Sequence, residues 1–403
     1  MPVPRPAGVL AIGAVAFAAS LALGLVLGFG HDQIDLDVYR AGAQAWLDDV
    51  DLYAAWFPVH HIWLPFTYPP LAAVVFTPFA ILPATAAAVA MATLSMASLA
   101  GTVWLILTRI RPDLDRMIAV GLMLVALAVA IQLEPVTETL GFGQVNLILM
   151  FLVTADLLVE RPWWPRGMLI GLAAAVKLTP AAFGLFFLLN RDVRAVATLI
   201  GSAAAATAVG FLLAWHDSLE YWFGGVLTGT DRIGTTFFSS NQSWKGVLAR
   251  LAPDAGAALW LLGATIVVGC AAILMVRLLR AGRAPEAMVV NALAVLLCSP
   301  VSWSHHWVWV VPALVLAVDA AVRGPHRAAL IAGTTAVTAV FVVGPHWLVP
   351  YWRSPQHSPE LEWAWWQHLI GNTYSLIGAA VLLAGVAFYR PTVHSRTDGL
   401  ALP

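Results

Sequence analysis

Charged residues are scarce in this chain of 403 residues. Only 11% are Asp, Glu, Lys or Arg, whereas 60% are hydrophobic, and the formal net charge is -1. So few charges exclude an ordinary water-soluble surface and predict a polytopic membrane protein. The sequence has no basic arm and no nucleic-acid-binding motif, so no nucleic-acid partner is expected.

Cysteine and lysine are almost absent. The two cysteines, Cys270 and Cys298, both lie in apolar runs, which argues against a disulfide framework. Of the 21 basic residues only Lys177 and Lys245 are lysines. Because arginine is used everywhere else, these two lysines are candidates for a specific role.

Long apolar runs fill most of the chain. The first, residues 8–29, is long enough at about 1.5 Å per residue to cross a hydrocarbon core of roughly 30 Å. Ten more follow, at 71–107, 118–133, 146–159, 167–189, 195–214, 256–276, 287–299, 307–322, 328–345 and 372–389. We predict an all-α integral membrane fold with about 10–12 transmembrane helices. It forms one domain, residues 1–390, followed by a cytoplasmic tail, residues 391–403.

Two of the apolar runs contain helix-breaking sequences. Pro78 and Pro83 divide 71–107 into a short piece and a full span. Run 167–189 lies between two arginine clusters and has Lys177 at its midpoint, three residues before a proline. We expect this run to dip into the membrane and return as a broken helix that lines a cavity.

The arginines divide the chain into two sides. With Arg5, fifteen of the 21 basic residues lie on one side, which the positive-inside rule assigns to the cytoplasm. The clusters are Arg109/Arg111/Arg116, Arg161/Arg166, Arg191/Arg194, Arg277/Arg280/Arg283, Arg323/Arg327 and Arg390/Arg396. The opposite side then receives 31–70, 133–145, 215–255, 300–306 and 346–371. These segments hold most of the tryptophans, which suit an interfacial belt or stacking on sugar rings.

Segment 31–70 is the first place to look for a reaction, since it holds six of the 22 acidic residues. Asp35 and Asp37 follow the first span directly and have apolar neighbours. Partial desolvation raises the basicity of such carboxylates and suits proton abstraction. The remaining acids are interpreted as solvating the loop, above all Asp48, Asp49 and Asp51.

Four polar residues elsewhere are further candidates. Tyr68 lies in an extended, proline-rich segment, and its hydroxyl is placed to reach a ligand. Gln144 and Asn146 open a span, where buried amides either cross-link helices or bind a polyol. Lys177 is a cation in an apolar run and needs a partner. That partner is either a phosphate group or a carboxylate, for which the candidates are Glu134, Glu138 and Asp156.

Two motifs on the periplasmic side complete the set. Residues 241–246, which begin with Asn241 and Gln242, suit a loop that closes over a ligand. Residues 299–307 place His305 and His306 between tryptophans, where histidines bind metal, relay protons or donate to phosphate. No Cys or carboxylate stands near them at zinc spacing, so no metal site is predicted.

Six motifs in order resemble glycosyltransferase family 87, the polyprenol-phosphate-mannose-dependent alpha-mannosyltransferases of the GT-C fold. They span roughly residues 31–310 and read IDLDVYRAGAQAWL, LPFTYPPLAAVVFTPFAILP, GFGQVNLILM, GLAAAVKLTPAAFGLFFLLNRD, SSNQSWKGVLAR and SPVSWSHHWVW. In that family the first extracytoplasmic loop carries an essential general base. The family pattern places it on Asp35, with Asp37 as the second choice. A histidine is also implicated, which leaves His305 and His306 both open.

The resemblance implies an inverting mannosyltransferase that acts on the periplasmic face. Its donor would be polyprenyl-phosphate-mannose. Its acceptor would be a mannose hydroxyl of a phosphatidylinositol mannoside, lipomannan or lipoarabinomannan, joined in an alpha-1,2 linkage. Candidates for the donor phosphate are Lys177, Arg40 and Lys245. Candidates for substrate contacts are Tyr68, Gln144, Asn146, Asn241, Gln242 and Trp303. No metal or other cofactor is expected, because this donor has no pyrophosphate for a metal to clamp.

Two other classes of protein compete with this interpretation. A secondary transporter or lipid flippase would use Lys177, Asp156 and Asp319 as an ion path, but transporters usually show inverted repeats and paired broken helices. Only one such break is visible in the sequence. A scaffold for cell-envelope assembly would not need an acid beside the first span and a histidine pair on the same side.

Overall fold

The computed structural model describes residues 5–26, 33–54, 56–60, 62–229, 232, 234–254, 256–353 and 357–390. In these ranges the α-helices are α1 Pro6–Val26, α2 Ile34–Leu47, α3 Pro70–Ile81, α4 Ala84–Ile110, α5 Arg116–Ala130, α6 Glu134–Phe142, α7 Asn146–Leu158, α8 Met168–Val176, α9 Gly184–Leu189, α10 Val193–Leu213, α11 Trp215–Phe223, α12 Trp244–Leu251, α13 Ala257–Arg280, α14 Ala284–Cys298, α15 Val310–Arg323, α16 Arg327–Val343, α17 Trp365–Gly371 and α18 Thr373–Phe388. Short 3-10 helices cover Thr179–Phe183, Ser304–Trp309, Pro345–Trp347 and Pro359–Glu362. Strands β1 Trp56–Val59 and β2 Ile62–Pro65 form an antiparallel hairpin. The predicted tail lies outside the described residues.

The described ranges contain six helices that are long and apolar enough to cross a membrane. They are Pro6–Gly24, Ala84–Ile110, Val193–Leu213, Ala257–Arg280, Ser304–Arg323 and Arg327–Trp347. The pairs α5–α6 and α17–α18 bend by 79° and 75°, and counting each pair as one span gives up to eight. The architecture is the polytopic helical one that the sequence predicts. The predicted 10–12 spans are reached only if shorter apolar helices such as α3, α7 and α14 also cross.

The shorter helices form the centre of the molecule. Most residues of α7 are buried, and it packs against α4, α8 and α14. By contrast, only 11–17% of the span windows in α1, α10, α13 and α16 are buried, so these helices present most of their surface to lipid. A helix enclosed by other helices need not match the bilayer thickness, and it is free to line a cavity.

Both predicted helix breaks are found, the first at Pro83 only, since Pro78 lies inside α3. Helix α3 ends at Ile81 and α4 begins at Ala84, directly after Pro83. Helix α8 ends at Val176, and Lys177 has extended backbone with φ -147° and ψ 125°. The chain then continues as the 3-10 helix Thr179–Phe183, because its proline at the second position cannot donate an i→i-4 hydrogen bond.

Segment 31–70, which the sequence predicts to be a loop between spans, contains regular secondary structure. Helix α2 and the hairpin occupy most of its described residues, and the hairpin adds two short strands to the helical fold. Leu36, Tyr39 and Ala43 are buried at helical spacing. The Tyr39 ring stacks on that of Phe76 in α3, with centroids 4.2 Å apart. The aspartates of the segment indicate a solvated loop, whereas the spacing of its buried residues indicates a helix.

Candidate active site

Asp35 lies in the first turn of α2, and its side chain is half-buried. Gln33, just before the helix, donates from its backbone N–H and from Nε2 to the carbonyl of Gly141, each at 3.0 Å. These bonds fix the start of α2 against the end of α6. Burial raises the pKa of the Asp35 carboxyl to about 6, although the Lys177 charge and the Gln144 side chain oppose the rise. A carboxylate with such a pKa is suited to accept a proton near neutral pH.

The Gln144 side chain is the centre of a buried hydrogen-bond network. Tyr39 donates its hydroxyl to Gln144 Oε1 at 2.7 Å, and Gln144 Nε2 donates to the Tyr68 hydroxyl at 3.2 Å. The two tyrosine hydroxyls are 3.0 Å apart. Tyr39 stands four residues after Asp35 on α2, so both side chains lie on the same face of that helix. The network therefore connects the carboxylate to the turn between α6 and α7.

Lys177 extends this network toward the middle of the molecule. Its Nζ donates to Asn146 Oδ1 at 3.1 Å and to Gln144 Oε1 at 3.4 Å, and lies 5.5 Å from the centroid of the Tyr68 ring. No carboxylate of the described residues forms a salt bridge with it. Two predicted partners are engaged elsewhere: Asp156 accepts from the backbone N–H groups of Gly167 and Ile170, and Glu134 accepts from Trp347 and Tyr374.

The structure separates the roles of the two adjacent histidines. The carbonyl of His305 accepts from Asn146 Nδ2 and from Thr139 Oγ1, both at 3.0 Å. The His305 ring is buried against Phe142. The His306 ring lies edge-on to it, with centroids 4.7 Å apart, and lines a cleft that His305 does not line. His306 is therefore the histidine that a ligand in the cleft can contact.

The cleft lies between α7, the break after α8, α14 and the segment around the histidines. Its polar lining is formed by Asn146, Lys177, Thr179, Ser299, Ser302 and His306. Its other walls are apolar and include Val153, Phe183, Leu296 and Trp309. The lining thus combines a cation and hydrogen-bond donors with apolar walls.

Three predicted residues lie apart from this network. Asp37, on another face of α2, has its Oδ2 3.3 Å from His60 Nε2 and its Oδ1 3.9 Å from Arg40. Arg40 donates to the carbonyl of Leu82 at 3.0 Å. Lys245 lies 5.3 Å from the centroid of the Trp260 ring. Asp35 is thus the aspartate of this pair that the structure joins to the other candidates.

Asn241 and Gln242 hold backbone segments together. Asn241 Oδ1 accepts from the N–H of Ser302 at 2.9 Å, and the Asn241 backbone pairs with that of Trp303 in an isolated β-bridge. Gln242 Nε2 donates to the carbonyl of Gly371 at 2.7 Å, and its Oε1 accepts from the N–H of Tyr374. Both side chains are fully buried. The geometry favours a structural role for these two amides over substrate binding.

Sequence reasoning missed two residues that build this site. Tyr39 is joined to Gln144, and Gln33 fixes the start of α2. The four-residue spacing of Asp35 and Tyr39 would have revealed the first, had the segment been recognised as a helix. No local pattern marks Gln33, because its partner is 108 residues away.

A known protein family matches a part of the chain that contains most of these residues. Residues 66–300, more than half of the chain, match the model of glycosyltransferase family 87. The chain belongs to glycosyltransferase family 87. The matched range of this glycosyltransferase contains Tyr68, Gln144, Asn146 and Lys177, and begins after Asp35.

Named relatives in mycobacteria agree with this assignment. A polyprenol-phosphate-mannose-dependent alpha-(1-2)-phosphatidylinositol mannoside mannosyltransferase of Mycobacterium tuberculosis is 41% identical over 91% of this chain and 88% of its own length. One of the same description from Mycolicibacterium smegmatis is 40% identical over 87% and 83%. An alpha-(1-2)-phosphatidylinositol pentamannoside mannosyltransferase of M. tuberculosis is 34% identical over 80% and 74%. No protein of solved structure matches this family 87 chain.

Among the residues that the structure describes, no three His, Cys, Asp or Glu side chains are grouped so that they could hold a metal ion. Lys177 and His306 line the cleft. Independence from metals stays a prediction.

Proposed function

We propose that this glycosyltransferase transfers mannose from polyprenyl-phosphate-mannose to a mannose hydroxyl of a glycolipid. The acceptor is a phosphatidylinositol mannoside or the related lipomannan and lipoarabinomannan, and the product linkage is alpha-1,2. The names of the mycobacterial relatives support the substrates. The observation that carries the proposal is the connection of half-buried Asp35, through Gln144, to Lys177, which lines the cleft.

The reaction is a single displacement with inversion. Asp35 accepts the proton of the attacking acceptor hydroxyl as that oxygen bonds to the anomeric carbon. The bond from that carbon to the phosphate oxygen breaks, and its electron pair leaves with the polyprenyl phosphate. Lys177 and His306 stabilise the leaving phosphate, since fixed donors and cations act most strongly where charge develops. The apolar walls hold the first isoprene units.

We place this chemistry on the periplasmic side. Arg40, on the same helix as Asp35, binds the carbonyl of Leu82 just before α4. Helix α4 is 27 residues or roughly 40 Å long, with Arg109 in its last turn and Arg111 directly after its end. The two arginines therefore lie at the end of α4 that is far from Leu82. The arginine-rich end is the cytoplasmic one by the positive-inside rule. The helix that carries Asp35 therefore belongs to the opposite side.

The experiment measures transfer of radiolabelled mannose by the purified full-length protein. Asp35→Asn keeps the shape of the side chain but removes the base, and we expect the rate to fall by about 10²–10⁴-fold. Asp37→Asn is the matched control on the same helix, because its carboxylate faces His60 and Arg40, and should stay within about threefold of wild type.

Each outcome bears on a different claim. Full activity of Asp35→Asn, or an equal loss in Asp37→Asn, would show that Asp35 is not the base. If the wild-type protein moved mannose to no mannosylated acceptor, the proposed reaction itself would be wrong. Transfer that persists after treatment with a chelator is expected, because the donor carries a single phosphate.

A further inference from the structure

A second cavity lies at the other end of α4, remote from Asp35. It is open to the outside and has a volume of about 440 Å³, which is within the usual range for small-ligand sites. Three elements form it: the end of α4, the turn between α13 and α14, and the end of α15. The charged side chains that line it are Arg109, Arg283, Glu286, Asp319 and Arg323.

Positive charge exceeds negative charge around this cavity. Four guanidinium groups share three carboxylates: Arg109 with Glu160, Arg283 with Glu286, and Arg111 and Arg323 both with Asp319. The Glu160 side chain is 70% exposed, so its pair with Arg109 is weak. One guanidinium charge thus has no full counter-charge, and an anion in the cavity would supply it.

The cavity lies beside an exposed apolar surface of α15. Val318 and Val322, next to Asp319 and Arg323, are each more than half exposed and belong to the candidate membrane span Ser304–Arg323. A ligand in the cavity is therefore placed to hold a charged group against arginines while a hydrocarbon chain lies along the valines. Basic pockets between helix ends on the arginine-rich side suit anionic lipid headgroups.

We propose that this cavity binds an anionic phospholipid through its phosphodiester. Arg109, Arg283 and Arg323 contact the phosphate oxygens, which are matched by the planar donor fork of arginine. The acyl chains lie along α15. The site is separate from the transfer reaction and fixes the arginine-rich ends of α4, α14 and α15 together.

The test is direct binding to the purified full-length protein in a zwitterionic detergent. The probes are dioctanoyl phosphatidylglycerol, dioctanoyl phosphatidylcholine and inorganic phosphate. We expect phosphatidylglycerol to bind at least about tenfold more tightly than either of the others. The double variant Arg109→Gln/Arg283→Gln should weaken its binding by about tenfold or more.

A matched control removes two charges from the same side outside the cavity. Arg116 and Arg194 are exposed, so Arg116→Gln/Arg194→Gln should leave the dissociation constant within about twofold. If the first double variant does not purify, the single Arg109→Gln leaves a solvated Glu160 and should weaken binding about threefold.

Three results would overturn the proposal. Equal losses in both double variants would mean a general surface-charge effect. Phosphate binding as tightly as phosphatidylglycerol would mean a site for a soluble anion. Binding of phosphatidylcholine as tight as that of phosphatidylglycerol would mean that the charge of the headgroup is not recognised.

Discussion

At the scale of single residues, the pair of Asp35 and Lys177 makes a prediction about pH. The Asp35 carboxyl must be ionised to accept a proton, and its pKa is raised to about 6, so kcat/KM should fall as the pH drops through about 6. The Lys177 charge opposes that rise. Lys177→Gln should therefore move the acid limb to higher pH. It should also lower the rate at pH 7 by at least about tenfold, because the leaving phosphate loses a donor.

The measurement is the pH profile of kcat/KM for Lys177→Gln beside Lys245→Gln. The two variants lose the same charge, but Lys245 contacts the Trp260 ring and not the network of Gln144. We expect Lys245→Gln to keep the wild-type profile. If the acid limb of the pH profile is unchanged in Lys177→Gln, or shifts equally in both variants, the Lys177 charge does not lower the pKa of the Asp35 carboxyl.

At the scale of elements, the approach of α2 to the turn after α6 decides where Asp35 lies. Gly143 ends α6 with φ 67°, and a Cβ there would be 2.7 Å from Leu36 Cβ on α2. Gly143→Ala should therefore push the first turn of α2 outward. We expect transfer to fall by roughly 10–100-fold, since a displacement of about 1 Å at a reacting group has that effect.

Gly282→Ala is the control for this prediction. Gly282 also has positive φ, 72°, but a Cβ there meets nothing within 4 Å. Both variants carry the same backbone penalty of about 1 kcal/mol, which thermal unfolding in detergent would measure. Only Gly143→Ala should lose activity. Equal activity losses would mean that backbone strain, and not the position of α2, governs the rate.

The same element shows how far the sequence predicts this structure. The breaks at Pro83 and after Lys177 follow from local chemistry, and both are found. The sequence does not predict helix α2, because its aspartates indicate a solvated segment and its buried apolar face is short. The sequence predicts each of four site residues separately: Asp35, Gln144, Asn146 and Lys177. It does not predict their contacts, because Lys177 lies 31 and 33 residues from its two amide partners and no local rule joins side chains at that separation.

At the scale of the whole molecule, a buried polar cluster around Arg250 and Glu360 joins distant segments on the side opposite the arginine clusters. Arg250, 2% exposed, donates to the carbonyls of Phe238 and Asn241 and to Asn372 Oδ1. Glu360, fully buried and of opposite charge, accepts from the N–H groups of Ser239 and Trp352. The partners span more than 100 residues, so the sequence alone did not suggest this cluster. It secures the segment that pairs with Trp303, and through it the wall of the cleft.

Loss of Arg250 should therefore destabilise the protein more than loss of an exposed arginine. Arg250→Gln removes the charged hydrogen bonds to backbone carbonyls and Asn372 and takes positive charge away from buried Glu360, and we expect a cost of about 1.5–3 kcal/mol in unfolding free energy. Arg353→Gln, in the neighbouring exposed loop, should cost less than about 0.5 kcal/mol. The double variant Arg250→Gln/Glu360→Gln should recover part of the loss, because neither charge is then left unpaired. Thermal unfolding in detergent of the wild type, Arg250→Gln, Glu360→Gln and the double variant measures this coupling, with Arg353→Gln as the control. Additive losses would mean that the two charges act separately, with Arg250 contributing only its bonds to the backbone.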